Sequence, residues 1–270
     1  MAKKNIYFKS LTIGGSDNSG GAGIQADLKT FSALGCYGMS VITALTAQNT
    51  QGVKSIQEIP SKFIAEQMLS ILEDIKIDAV KIGMLFNSST IREVAKCLKK
   101  KKIPKVVLDP VMFAKSGDSL LEEDAVQLLK QEIFPLATVA TPNISETEAL
   151  LCRTVRTSKE IQEAALDLCE LGLEAAIVKG GSFSGPNSND CVAYKNGKVK
   201  WLRQKRINTQ NVHGTGCAFS SAITAFLARS FSLEESVVLA KKYLTEALKA
   251  GASLKLGKGK GPIMHFYKIW

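Results

Sequence analysis

Short apolar or β-prone runs at residues 11–15, 41–45, 79–83, 106–108, 138–141 and 175–178 alternate with stretches whose apolar residues return at helical spacing. This alternation leaves few folds open. Strands joined through helices lie parallel, and a parallel sheet has to be covered by helices on both faces. The first unit shows the pattern: Ile24, Leu28, Phe31 and Leu34 repeat at helical spacing before Gly35, a plausible helix stop, and a second strand follows. Ser61 is a candidate cap for a helix carrying Phe63, Ile64, Met68, Ile71 and Leu72, and further helices are predicted at about 89–101 and 122–133. Thr157 with Glu160 and Ser232 with Glu235 have capping-box spacing. Residues 191–207 differ, because alternating residues flank Asn196-Gly197, which predicts an antiparallel hairpin at the sheet edge. A helix from Cys217 and another over about 233–254 complete the chain. No internal repeat or linker-like shift interrupts it, so residues 1–270 are expected to form a single α/β domain.

Composition narrows the function. At 270 residues and 45% apolar content the chain can bury a substantial core. The net charge of +10 raises the question of nucleic acid, but the densest basic run, 99–102, ends a predicted helix, where cations are favoured and solvated. Little aromatic interleaving accompanies the basic residues, and a small anionic substrate explains the charge as well. The six cysteines form no C-x-x-C pair, and His213 and His265 are far apart, which argues against structural zinc. Neither a signal-peptide core nor a membrane span is evident, so a cytoplasmic protein with reduced thiols and no membrane partner is expected.

Open parallel sheets bind ligands beyond the carboxyl ends of their strands, where this pattern puts Gly15, Asp109, Asn143, Lys179 and the glycines before Cys217. Residues 208–226, NTQNVHGTGCAFSSAITAF, join a strand to an apolar helix through a loop of little bulk. Gly214, Thr215 and Gly216 would let an anion approach the unpaired amides of the helix start, and Cys217 in the first turn is expected to ionise more easily than a free thiol. The same residues also fit an ordinary glycine-rich loop ahead of a packed helix. Residues 21–26 match a loose dinucleotide fingerprint, but no acidic residue follows about 20 positions on to hold a ribose. No G-x-x-x-x-G-K-[ST] loop occurs, so any phosphate cradle falls to Gly214. Phosphoryl transfer further needs a metal and a cation. Asp109 and Glu146 are oxygen ligands of the kind Mg²⁺ takes, through waters, with Asn143 in support, although Glu146 also fits a helix-start acid. Lys179 can reach a γ-phosphate or be a solvated loop lysine. His213 is assigned to holding its loop by a hydrogen bond rather than to acid/base chemistry.

With these residues in place, the chain resembles the hydroxymethylpyrimidine and phosphomethylpyrimidine kinases of thiamine biosynthesis, in the ribokinase-like superfamily. The resemblance spans nearly the whole length and rests on GGSDNSGGAGIQADLKTFSALGCYGMSVITALTAQNT, KIGML, VVLDPVMFAKSGD, TPNISE, VKGG, HGTGCAFSSAI and GKGKGPIMHF. It implies a ribokinase-like three-layer α/β/α sandwich with a mostly parallel central sheet. It implies a homodimer and an ATP- and Mg²⁺-dependent kinase that phosphorylates 4-amino-5-hydroxymethyl-2-methylpyrimidine twice, ending at the pyrophosphate. Gln48 then recognises the pyrimidine edge, with Gly15, Ala22, Asp27, Met84 and Val111 around the ring, and Asn143, Lys179, His213 and Gly214 serve the nucleotide. The Gln48 amide, both donor and acceptor, suits an aminopyrimidine. Where many ribokinase-like enzymes carry Asp after the anion-hole glycines this chain has Cys217, expected to help deprotonate the alcohol in the first step. Lys258 stands where many relatives carry His, so the tail is given no catalytic role, and no fused thiamine-phosphate synthase or thiaminase-like domain is expected. Gly117 is a candidate for a mobile flap. A vitamin B6 kinase and, more distantly, a non-catalytic pyrimidine sensor are the alternatives.

Overall fold

The computed structural model describes residues 7–113, 120–122, 124–182 and 185–269, so Gly117 lies outside the described residues. The amino-terminal half runs β1 (Phe8–Asp17), α1 (Gly23–Ala33), β2 (Cys36–Asn49), β3 (Gly52–Glu58), α2 (Ser61–Asp74), β4 (Ala79–Ile82), α3 (Ser88–Lys101) and β5 (Val106–Leu108). Then follow α4 (Ala125–Glu132), β6 (Val139–Ala140), α5 (Ile144–Leu151), α6 (Ser158–Cys169) and β7 (Ala175–Lys179). The hairpin β8 (Asp190–Tyr194) and β9 (Val199–Leu202) precedes α7 (Thr215–Ala228) and α8 (Leu233–Gly251).

The strands form one nine-stranded sheet in the order β3-β2-β1-β4-β5-β6-β7-β8-β9. The pairs from β2 through β7 are parallel, and β3, β8 and β9 join antiparallel at the two edges. Strand periodicity sorts the core into two layers. Leu11, Ile13, Val80, Ile82 and Leu108 face the cluster built by α2 to α6, while Ala79, Val107, Val139 and Ile177 face the one built by α1, α7 and α8. The result is the expected three-layer α/β/α sandwich.

The edges and caps refine the sequence expectations. β2 extends well beyond residues 41–45, and β3 was not anticipated, because half-exposed GVKSIQE lacks an apolar face. Ser61 does not cap α2: Pro60 occupies the N-cap, its carbonyl accepting from the Phe63 and Ile64 amides, and Ser61 is the first helical residue. Both predicted capping boxes form, and Asn143 with Glu146 makes a third at the start of α5. The Asn196-Gly197 turn connects β8 to β9, with Gly197 at φ +83°.

Candidate active site

The carboxyl ends of the parallel strands open into a cleft of about 1190 Å³, and Gly15, Asp109, Asn143, Lys179 and residues 214–217 all line it. The start of α7 closes its floor. Gly214 is the N-cap at φ +75°, no side chain caps the helix, and a Cβ there would overlap the Gly21 carbonyl oxygen. The close approach and the left-handed backbone both require glycine, and the first-turn amides keep their positive end toward the cleft.

Lys179 faces that helix start. Its Nζ lies 2.8 Å from Asp109 Oδ1 and 3.9 Å from Glu146 Oε2. A Cβ on Gly216 would stand 3.4 Å from Lys179 Nζ and 3.5 Å from Asp109 Oδ2, so the ion pair and the helix opening are immediate neighbours. Thr141 and Ser220 also donate to Asp109. Burial works against the Asp109 carboxylate, but Lys179 and Lys81 hold it below the ordinary range. Glu146 goes the other way: burial outweighs Lys179 and raises it to about 7, with Asp109 adding to the rise. It also serves α5, its Oε2 accepting from the Asn143 amide at 2.7 Å. The helix-start acid and the cleft carboxylate are therefore one side chain.

Of the residues expected around a pyrimidine ring, Gly15, Ala22, Gln48, Met84 and Val111 share the cleft. The Gln48 Nε2 donates to Thr46 Oγ1 at 2.7 Å. Asp27 is set apart. It is fully buried beneath the cleft, its Oδ2 accepting from Thr12 and Lys81 and its Oδ1 from Ser221.

The partner that places Asp27 there, Lys81, was missed in the sequence. Ala79 and Lys81 alternate with Val80 and Ile82, which sends the lysine to the α1/α7 face, where its Nζ meets Asp27 Oδ2 at 2.8 Å. A lysine inside a four-residue strand of a sheet covered on both faces was the available signal, because such a charge has to be paired. Above this pair, Cys217 occupies the third position of α7 as expected, but its thiol does not ionise easily. Burial pushes it up to about 11; Lys81 pulls it down, while Asp27 and Asp109 push it further up. Desolvation and two carboxylates outweigh Lys81 and the Gly23 backbone.

Asp17 is the second residue the sequence did not disclose. Its Oδ1 accepts from the amide and hydroxyl of Ser19, and its Oδ2 from the amides of Gly21 and Ala22. His213 Nε2 lies 2.8 Å from the same Oδ2. Burial opposes ionisation, yet these hydrogen bonds, that from His213 first, hold Asp17 down to about 2. His213 therefore holds its loop by a hydrogen bond, and its amide donates to Gly261. The tail reaches the site as well: Gly259 and Lys260 donate to Thr50, and Lys258 lines the cleft. Among the described residues no cluster of three metal-binding side chains occurs, and no helix is long and apolar enough to cross a membrane.

Known kinases resemble this chain over most of its length. The phosphomethylpyrimidine kinase family model matches residues 17–264. Hydroxymethylpyrimidine/phosphomethylpyrimidine kinase of Salmonella typhimurium is 45% identical over 262 residues, covering 97% of this chain and 98% of its own. Phosphomethylpyrimidine kinase from Clostridium difficile 630 is similar in structure, with a TM-score of 0.79 at 42% identity over 89% of this chain and 99% of that one. So is the ADP complex of pyridoxal kinase from Bacillus subtilis, at a TM-score of 0.88 and 36% identity over 95% and 97%. A family model matched from residue 17 to residue 264 and a relative 45% identical over nearly the whole of both chains show the family: the chain belongs to the phosphomethylpyrimidine kinases.

Proposed function

We propose that this kinase moves the γ-phosphoryl group of ATP to the hydroxymethyl oxygen of 4-amino-5-hydroxymethyl-2-methylpyrimidine, and then a second group to the monophosphate, giving the pyrophosphate used in thiamine biosynthesis. The observation that carries this reading is the uncapped start of α7 beside Lys179 and Asp109, in the same cleft as Gln48. ATP supplies the phosphoryl group, and Mg²⁺ held there would screen its charge.

The amides opening α7 grip the travelling group. Lys179, raised above the ordinary lysine range by Asp109 and Glu146 against the effect of burial, stays charged and exchanges part of its contact with Asp109 for a phosphate oxygen. Asp109 and Glu146 fit Mg²⁺, which is commonly met by one or two carboxylates, waters and substrate phosphates rather than by a full protein cage. Gln48 turns its amide from Thr46 to the aminopyrimidine edge, and Gly15, Ala22, Met84 and Val111 hold the ring. Cys217, in its minor thiolate form, takes the proton of the alcohol in the first transfer and becomes the thiol. The second acceptor, a phosphate monoester with a second pKa near about 6, arrives already ionised. A homodimer is part of the same reading and is checked by sedimentation equilibrium.

A coupled assay for ADP release, run with the alcohol and then with its monophosphate, tests the proposal, and no turnover of either acceptor refutes it. The likeness to pyridoxal kinase favours one competing acceptor. A kcat/KM for pyridoxal above that for the pyrimidine would reassign the substrate while leaving the phosphate machinery as described.

A further inference from the structure

Two glycine-rich turns meet back to back under the cleft. One, residues 17–23, carries Ala22 on the acceptor side, and the other, residues 213–217, opens α7 on the phosphate side. They are in direct contact, since a Cβ on Gly214 would overlap the Gly21 carbonyl and one on Gly21 would overlap the His213 ring. Each turn also has its own anchorage. Asp17 accepts from the amides at 19, 21 and 22, which closes the first turn on itself, and the His213 amide ties the second to Gly261. The bond from His213 Nε2 to Asp17 Oδ2, 2.8 Å across a separation of 196 residues, does something else: it sets one turn against the other. Asp17 is 1% exposed, so water competes little for that oxygen.

We infer that Asp17 and His213 form a latch that fixes the acceptor half of the cleft against the phosphate-cradling half, which makes both of them positioning residues for the transfer. The inference rests on the function proposed above. In-line transfer needs the acceptor oxygen aligned with the phosphorus, and a misplacement of about 1 Å costs about 10²-fold in rate. Both side chains line the cleft, but the bond between them is made from one turn to the other and needs neither reactant. Loosening it therefore lowers turnover without emptying either half of the cleft.

The test is steady-state kinetics on four variants with the pyrimidine alcohol and ATP. Asp17→Asn keeps the shape and one of the two acceptor oxygens but removes the charge, while His213→Leu removes the donor. Each is expected to lower kcat about 10²-fold, with KM for both substrates held within about threefold, the mark of an interaction felt only in the transition state. His213→Gln keeps an N–H donor and recovers most of the loss. The double variant Asp17→Asn/His213→Leu is no slower than the slower single, because the two act as one unit. Wild-type kcat in either single variant, losses that multiply in the double, or KM rising while kcat holds would each overturn the latch. Should His213→Leu fail to fold, Asp17→Asn and His213→Gln decide alone: a wild-type kcat in the first, or a His213→Gln enzyme as slow as the first, overturns it. The wild-type enzyme separates this outcome from failure of the proposed substrate. If it turns over pyridoxal but not the pyrimidine, the substrate reading falls, and the latch is judged by the same ratios on pyridoxal.

Discussion

A thiol held at about 11 makes Cys217 a base that is nearly always spent, and that has a kinetic consequence. At pH 7 such a group is ionised in about one molecule in 10⁴. If it removes the proton of the alcohol, the first transfer gains about tenfold per pH unit, or about 100-fold from pH 7 to pH 9. The second transfer behaves differently. Its acceptor loses its last proton near pH 6, so above about pH 7 it has nothing to gain from a thiolate. Glu146, raised by burial, serves both transfers alike, so the difference between the two pH profiles isolates the sulfur. Single-turnover rates measured with each acceptor at saturating ATP, in wild type and Cys217→Ala, give the comparison. The wild-type alcohol reaction should climb and the monophosphate reaction level off, and the variant should lose the climb and most of the first rate while sparing the second. Equal slopes for both acceptors, or a slope that survives in Cys217→Ala, would refute the base.

Three further expectations follow from buried groups. Lys81→Met leaves the Asp27 carboxylate unpaired in the interior and should cost about 3–5 kcal/mol in urea denaturation, much of it returned by Asp27→Leu in the same chain; no loss in the single variant would mean that the pair is not worth its geometry. His265 is 5% exposed, and burial, helped by Lys29, lowers it to about 4. The unfolded chain therefore takes up its proton first. The contribution of His265 to stability is level above pH 6.5 and falls by about 3 kcal/mol as pH drops from 6.5 to 4. His265→Leu should remove that contribution from the profile, and parallel curves for variant and wild type would exclude the assignment. Gly214→Ala places a Cβ on the Gly21 carbonyl at a positive φ, and it should lower kcat by at least about 10²-fold by forcing the two turns apart. Near wild-type turnover would show that this contact yields.

The sheet was legible wherever a strand was apolar throughout. Val106–Leu108 and Ala175–Lys179 lie between layers, so every side chain is apolar up to the polar residue at the strand end, and that end is where the ligand chemistry appears. Edge strands carry no such signature. Gly52–Glu58 is solvated on much of its surface and announces itself only by pairing with β2. The site was legible in the same uneven way. Asp109, Lys179 and Gly214 stand at strand ends or beside a helix start, positions that sequence order reveals. Asp17 and Lys81 owe their state to partners 196 and 54 residues away, and no local pattern encodes a distance. The ionisation of Cys217 failed for the same reason: its place in the first turn of a helix is local, whereas the desolvation and the two carboxylates that raise it arrive with the tertiary fold.

Thr50 receives the amides of Gly259 and Lys260, and the same strap, through Gly261, receives His213. During synthesis, then, the hairpin that presents Gln48 leaves the ribosome some two hundred residues before the segment that braces it. A nascent polypeptide can lay down most of its sheet early, but its cleft stays unbraced until residue 261 has cleared the exit tunnel, so competence to bind ligand should come as a late and abrupt event in the life of each molecule.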